Sequence, residues 1–227
     1  MAQIFPINGS DPRLPQQGDG GANGACETTG PLVIQIGFNR CATLTFHCMM
    51  EANGIPALHW KEPDGRNIAR VMVSNMAMGR KPLDGFEGIR VFSDMAYLDG
   101  KIMIDGARFF RALHAAYPDA YFLFNTRDKA EWMSSRMRHA NGTYLARCAK
   151  VAGVDVTDVP ALWTQMYDQH TAEVESYFAT AEARFLHFDL DCDSPQKIAD
   201  WLAPDFELNM AHWGHHNRKT RARAHLG

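Results

Sequence analysis

The residues with chemistry in them are a run of small and polar side chains near the N-terminal third, one later carboxylate, and an arginine and serine eight residues apart. Gly37-Phe38-Asn39-Arg40-Cys41-Ala42-Thr43-Leu44-Thr45 sets one cation and two hydroxyls among small residues, and Asp94, Arg127 and Ser135 follow at long spacing. A loop of this kind between a strand and a helix leaves backbone N–H groups unpaired where the helix dipole also favours negative charge. Its natural guest is a phosphate or a sulfate. A nucleoside-triphosphatase loop reads G-x-x-x-x-G-K-[ST], with lysine on the phosphates and the hydroxyl on Mg²⁺. Counted from Gly37, Ala42 stands at the second glycine, Thr43 at the lysine and Leu44 at the metal-binding hydroxyl. The ATPase reading fails at all three.

The elements that must position these residues alternate. Leu32 to Ile36 is an apolar strand, and the helix starting at Thr43 turns Phe46, Met49 and Met50 inward before Asn53-Gly54 stops it. Ala57 to Trp60 reads as a short strand, Arg66 to Met78 as a helix stopped by Gly79, and Ile89 to Asp94 as a strand ending in a carboxylate. A helix is predicted from Asp105 to Ala116, and then Ala120 to Thr126, the most strand-like run, which delivers Arg127-Asp128. Asp128 is the expected N-cap of a helix over Lys129 to Ala140. Pro160 opens a long helix to about Ala183, Arg184 to Asp189 is the last strand, and Ser194-Pro195 starts a helix ending near Leu202. Strands alternating with helices predict a three-layer α/β/α domain with a mostly parallel central sheet, over residues 31–210. Ligands of such sheets sit beyond the C-terminal strand ends, where Asp94 and Arg127 both fall. Residues 1–30 read as a glycine-rich flexible leader and 211–227 as a basic tail.

At 227 residues the chain supports one sizeable core, and its apolar and charged fractions of 46% and 22% with a net charge of -3 are those of an ordinary globular protein. That balance indicates no nucleic-acid partner. Apolar runs end well before the roughly 18 residues needed to span a bilayer, and the N-terminus lacks a basic region followed by an apolar one, so a cytoplasmic location is expected. Cys26, Cys41, Cys48, Cys148 and Cys192 are odd in number and irregular in spacing, as expected of free thiols. His212, His215 and His216 lack nearby carboxylate or thiol ligands and read as a tail element, not a metal site.

The loop also resembles that of the sulfotransferase family, Lys-x-Gly-Thr-[ST]-[ST] after a first strand. A second part of the resemblance is independent: family members carry an arginine at the end of a later strand and a serine eight residues on, matched here by Arg127 after FLFNT and by Ser135. The text AYPDAYFLFNTRDKAEWMSSRMRH is similar to bacterial sulfotransferase-like proteins, and the resemblance is dense over Leu32 to His139. It implies a P-loop-containing fold and transfer of a sulfuryl group from 3′-phosphoadenylyl sulfate (PAPS), without a metal, to a hydroxyl or amine of a small molecule or glycan. Adenosine 3′,5′-bisphosphate would be the product.

Under that resemblance Asn39, Arg40, Cys41, Ala42, Thr43, Leu44 and Thr45 hold the donor's 5′ end, while Arg127 and Ser135 hold its 3′-phosphate. Arg40 and Asp94 are the expected catalytic residues, Arg40 acting on the leaving phosphate and Asp94 as general base. Asp94 alternatively caps a turn, and His47 and His59 are lesser candidates for the base. Cys41 at a helix N-terminus is either an activated thiol or a loop-lining residue. Arg40 in place of lysine, Ala42 in place of glycine and Leu44 in place of a hydroxyl are departures from the family pattern. They leave open a catalytically weak module that only binds adenosine 3′,5′-bisphosphate. The acceptor is not legible, and a homodimer is left open.

Overall fold

A computed structural model describes residues 30–214. The expected leader and most of the basic tail, with His215 and His216, therefore lie outside the described residues.

Five short strands form one parallel sheet: β1 (Val33–Gln35), β2 (Ala57–His59), β3 (Val91–Ser93), β6 (Tyr121–Thr126) and β7 (Arg184–Asp189), in the order β2-β3-β1-β6-β7. β1 lies between β3 and β6, with Ile34 opposite Phe92 on one side and Phe122 on the other. The chain runs first to one edge and then to the other, so the strand order reverses beside β1. In open α/β sheets that crevice is where ligands bind. The three-layer α/β/α class expected from the sequence is the one observed.

Side-chain alternation along the strands divides the core. Val33, Tyr121 and Leu123 pack with Phe46, Met49 and Met50 of α1 (Thr43–Ala52) and with Ile198 and Leu202 of α7 (Gln196–Leu202). Ile34, Phe122 and Phe124 face the opposite layer, built from α2 (Ile68–Ala77), α3 (Phe110–Ala116) and α6 (Val159–Phe178). A third cluster lies under the loop after β1, where Phe38 and Cys41 pack with Trp132 of α4 (Lys129–Met137), Cys148 of α5 (Thr143–Ala152) and Trp163 and Tyr167 of α6. β1 and β6 are buried on both faces, which explains their mostly apolar text, Gln35, Asn125 and Thr126 being the buried polar exceptions.

Two differences from the sequence reading concern the stretch after β3. A two-stranded antiparallel hairpin, β4 (Ala96–Leu98) and β5 (Met103–Asp105), occupies a segment to which no element was assigned. The helix expected from Asp105 starts instead with a 3-10 turn at Gly106–Phe109, and α3 proper begins at Phe110. Three-residue strands show too few alternations to be read, and the Asp105 end is taken by pairing with Ala96. Similarly α4 stops at Met137, because Ala140, Asn141 and Gly142 all adopt positive φ.

Gly37 is required by closeness, not by a left-handed backbone. A Cβ there would overlap the backbone and side-chain oxygens of Asn125 in the neighbouring strand β6. Gly37→Ala is expected to destabilise the fold by about 1–3 kcal/mol, because backbone leaves little room to relax. Urea unfolding checks this, and an unchanged midpoint would count against it.

Candidate active site

The loop from Ile36 to Ala42 is bound to the sheet and to α4 through specific polar contacts. Gly37 N–H donates to Asn125 Oδ1 at 3.2 Å, and Asn125 Nδ2 donates to the Cys41 carbonyl. Trp132 Nε1 donates to the Asn39 carbonyl at 3.0 Å, and the Asn39 amide donates to Tyr144 Oη at 3.3 Å. Tyr144 in turn accepts from Arg136 Nη2 at 2.9 Å. Arg136 is fully buried among Phe38, Trp132, Tyr144 and Trp163, and its second partner is Asp105 at 3.7 Å. Burial works against that charge, but Tyr144 and Asp105 outweigh it and hold the guanidinium pKa above its ordinary value.

These anchors hold a strained backbone. Arg40 and Ala42 sit at φ +74° and +59°, the left-handed region that favours glycine. Ala42 is the N-cap of α1 and makes no side-chain capping bond, and the first turn of α1 carries no acidic residue. The N-terminal N–H groups of α1 are thus left without a side-chain cap. α4 is the contrast: Asp128 accepts from Glu131 N–H at 2.9 Å and closes that helix start, as the sequence predicts.

The positively charged side chains converge beside the open helix end. Arg40 Nε donates to Ser135 Oγ at 3.1 Å, and Arg127 Nη1 lies 3.5 Å from the Arg40 carbonyl. The sequence reading assigned Arg40 to one phosphate and Arg127 with Ser135 to another; here the loop arginine reaches across to Ser135. Arg127 is tied at its backbone, Tyr167 Oη donating to its carbonyl at 2.8 Å, while its Nε is buried with no partner among the described residues. Its nearest carboxylate, the exposed Glu131, is 3.7 Å away. Burial depresses the Arg40 pKa; Asp94 opposes this, and Arg127 and Arg138 add to it. Such crowding of cations around an uncapped helix start is an arrangement for a multiply charged anion.

Asp94 lies one residue past β3 at φ +50°, within electrostatic reach of Arg40. Its Oδ1 is buried without a partner, and its Oδ2 stands 3.4 Å from His59 Nε2. The carboxylate makes no turn-capping bond among the described residues. Burial pushes the Asp94 carboxyl up to about 6; Asp105 adds to this, and Arg136 and Arg40 oppose it. His59 is pushed down to about 4 by burial and then by His47, so at neutral pH a neutral imidazole faces the carboxylate.

The other expected residues take lesser places. Cys41 is buried and its thiol is pushed up to about 12 by that burial, which removes the activated-thiol reading. Thr43 is buried, and Leu44 and Thr45 are half-buried on the first turn of α1. Asn125, Tyr144 and Arg136 are the residues sequence reasoning missed. Asn125 alone carried a signal, a polar residue inside the apolar run AYFLFNT. A surface cavity of about 380 Å³ lined by Tyr121, Arg184, Trp201 and neighbouring residues opens at the opposite, N-terminal ends of β6 and β7. Among the described residues no His, Cys, Asp or Glu cluster could hold a metal ion, and no helix is long and apolar enough to cross a membrane.

A family model described as a sulfotransferase domain matches residues 32–154, from β1 through α5. The chain belongs to the sulfotransferase domain family. The matched span contains the loop, Asp94, Arg127 and Ser135, whereas α6, β7 and α7 lie beyond it. No curated protein matches the chain. As a sulfotransferase-domain protein it is a transferase, and sulfuryl transfer is its general chemistry.

Two substitutions probe the stored strain. Ala42→Gly is expected to stabilise the fold by about 0.5–1 kcal/mol, the left-handed cost less the entropy of glycine. For Asp94 the folded state binds more protons than the unfolded chain between 3.8 and about 6, so stability falls as pH rises through that window. Asp94→Asn should therefore raise stability at pH 7 by on the order of 1–3 kcal/mol and have little effect below pH 4. Urea unfolding at both pH values decides; an equal effect at each would contradict the electrostatic origin.

Proposed function

We propose that the protein transfers a sulfuryl group from 3′-phosphoadenylyl sulfate to a hydroxyl or amine of a small molecule or glycan. The observation carrying this reading is the convergence of Arg40, Arg127 and Ser135 beside the uncapped start of α1. A donor with a phosphosulfate and a separate phosphate needs cationic partners at two points, and these residues suit it. The unpartnered Arg127 Nε and the open N–H groups of α1 are what such a ligand would satisfy.

In this reading the backbone N–H groups of Cys41 to Thr45 and the Arg40 guanidinium hold the 5′ end. Arg40 exchanges its bond to Ser135 for the phosphate or shares it, and its charge stabilises the leaving oxygen. Arg127 and Ser135 hold the 3′-phosphate, with Arg127 fixed from behind by Tyr167. Thr43 and Thr45 line the same helix start. Asp94, raised toward the working pH range, takes the acceptor's proton.

The left-handed Ala42 and the apolar Leu44 favour a second reading, a domain that binds adenosine 3′,5′-bisphosphate and transfers weakly. Calorimetry with the bisphosphate beside labelled-sulfate transfer to an acceptor panel separates the two: binding without transfer supports the second. For either reading, Arg127→Ala is expected to weaken adenosine 3′,5′-bisphosphate binding by about 10- to 100-fold and leave adenosine 5′-phosphate within about 3-fold. Equal losses for both nucleotides would remove Arg127 from the 3′-phosphate site.

A further inference from the structure

We propose that His59 is a positioning residue that orients the Asp94 carboxylate toward the acceptor's proton, an inference that rests on the sulfuryl-transfer reading above. His59 closes β2 and sits opposite Ser93 in β3, the residue before Asp94. Ser93 Oγ lies 3.0 Å from His59 Nδ1, and His59 Nε2 lies 3.4 Å from Asp94 Oδ2. An ionised carboxylate only accepts, so Nε2 carries the ring hydrogen and Nδ1 accepts from the Ser93 hydroxyl. Ser93 is fully buried, which keeps its hydroxyl on the imidazole. Nε2 thereby turns its hydrogen toward the Oδ2 side of Asp94, 3.4 Å away. Oδ1 is buried away from solvent and without a partner, so the Oδ2 edge of the carboxylate is the one open to an acceptor.

The step then balances as follows. The acceptor oxygen forms a bond to sulfur, and the bond from sulfur to the leaving phosphate oxygen breaks with its electron pair on that oxygen. The acceptor's proton passes to the Asp94 carboxylate at Oδ2, the oxygen that is not buried. His59 gains and loses nothing; it holds the plane of the carboxylate from 3.4 Å away. Asp94 is faced by Asp105 at the end of β5, Arg136 from α4 and Arg40 from the loop. His59 is faced by His47 of α1, their ring centroids 5.4 Å apart, and His47 is itself 3.1 Å from Glu51. A second imidazole on the far side makes protonation of His59 unfavourable and preserves its donor role toward Asp94.

Nitrogen-15 spectra of the histidine rings in the full chain at pH 7 are expected to show His59 neutral with its hydrogen on Nε2. A hydrogen on Nδ1, or an imidazolium, overturns the inference. Transfer of label from 3′-phosphoadenylyl sulfate, to water as sulfate or to a simple alcohol as its sulfate ester, reads the consequence. His59→Asn is expected to lower kcat about 10- to 100-fold with the donor KM changed less than about 3-fold. His59→Gln, whose amide N–H reaches the place of Nε2, is expected to recover most of that loss. No loss in His59→Asn, or equal losses in the two variants, argues against positioning. The spectra require no turnover, so a chain that fails to bind adenosine 3′,5′-bisphosphate would sink the donor reading while the tautomer is still decided.

Discussion

Asn125 is the contact on which the site depends. From inside β6 it accepts from Gly37 N–H and donates to the Cys41 carbonyl, so one side chain spans both ends of the loop after β1. At the far end of the loop the Cys41 carbonyl lies between two left-handed residues, Arg40 and Ala42. A buried amide with donor and acceptor at fixed spacing satisfies both groups without adding charge beneath an anion site. The same contact demands glycine at position 37, since any Cβ would occupy the space of Asn125. Sheet register and loop geometry are thus one constraint.

Around that bracket the structure keeps cations close together at a cost in stability. Arg40 and Arg127 oppose each other's charge, and Asp94 and Asp105 oppose each other across the same region. The aromatic cage of Phe38, Trp132, Tyr144 and Trp163 makes this tolerable by holding Arg136 as a fixed positive charge between loop and carboxylates. Strain and like-charge crowding at one place, supported by a well-packed surround, are what a binding or catalytic site requires. A bound anion would relieve much of the repulsion and add its binding free energy to the stability of the fold.

Much of the fold was legible because its signals are local and repeated. The buried strands β1 and β6 announce themselves as apolar runs, the α1 face by Phe46, Met49 and Met50, and the start of α4 by Asp128. The β4–β5 hairpin was not legible, since strands of three residues barely establish a period, and the helix predicted to begin at Asp105 began at Phe110. Arg127 stood out because it terminates the most buried strand. Asn125, two residues earlier, was absorbed into that strand as an irregularity, although it does more to shape the loop.

The sequence by itself determined the alternation of elements, the loop without an ATPase lysine, and the placing of Asp94 and Arg127 just beyond strand ends, because hydrophobic period and chain order set these. Only the tertiary structure decided that Arg40 reaches Ser135, that Asp94 faces His59 instead of capping a turn, and that Cys41 is buried and unreactive. Those pairings join residues that are 95 and 35 positions apart for the first two. Their geometry comes from parallel register and from the packing of α4 over the loop, and neither leaves a mark in the local text.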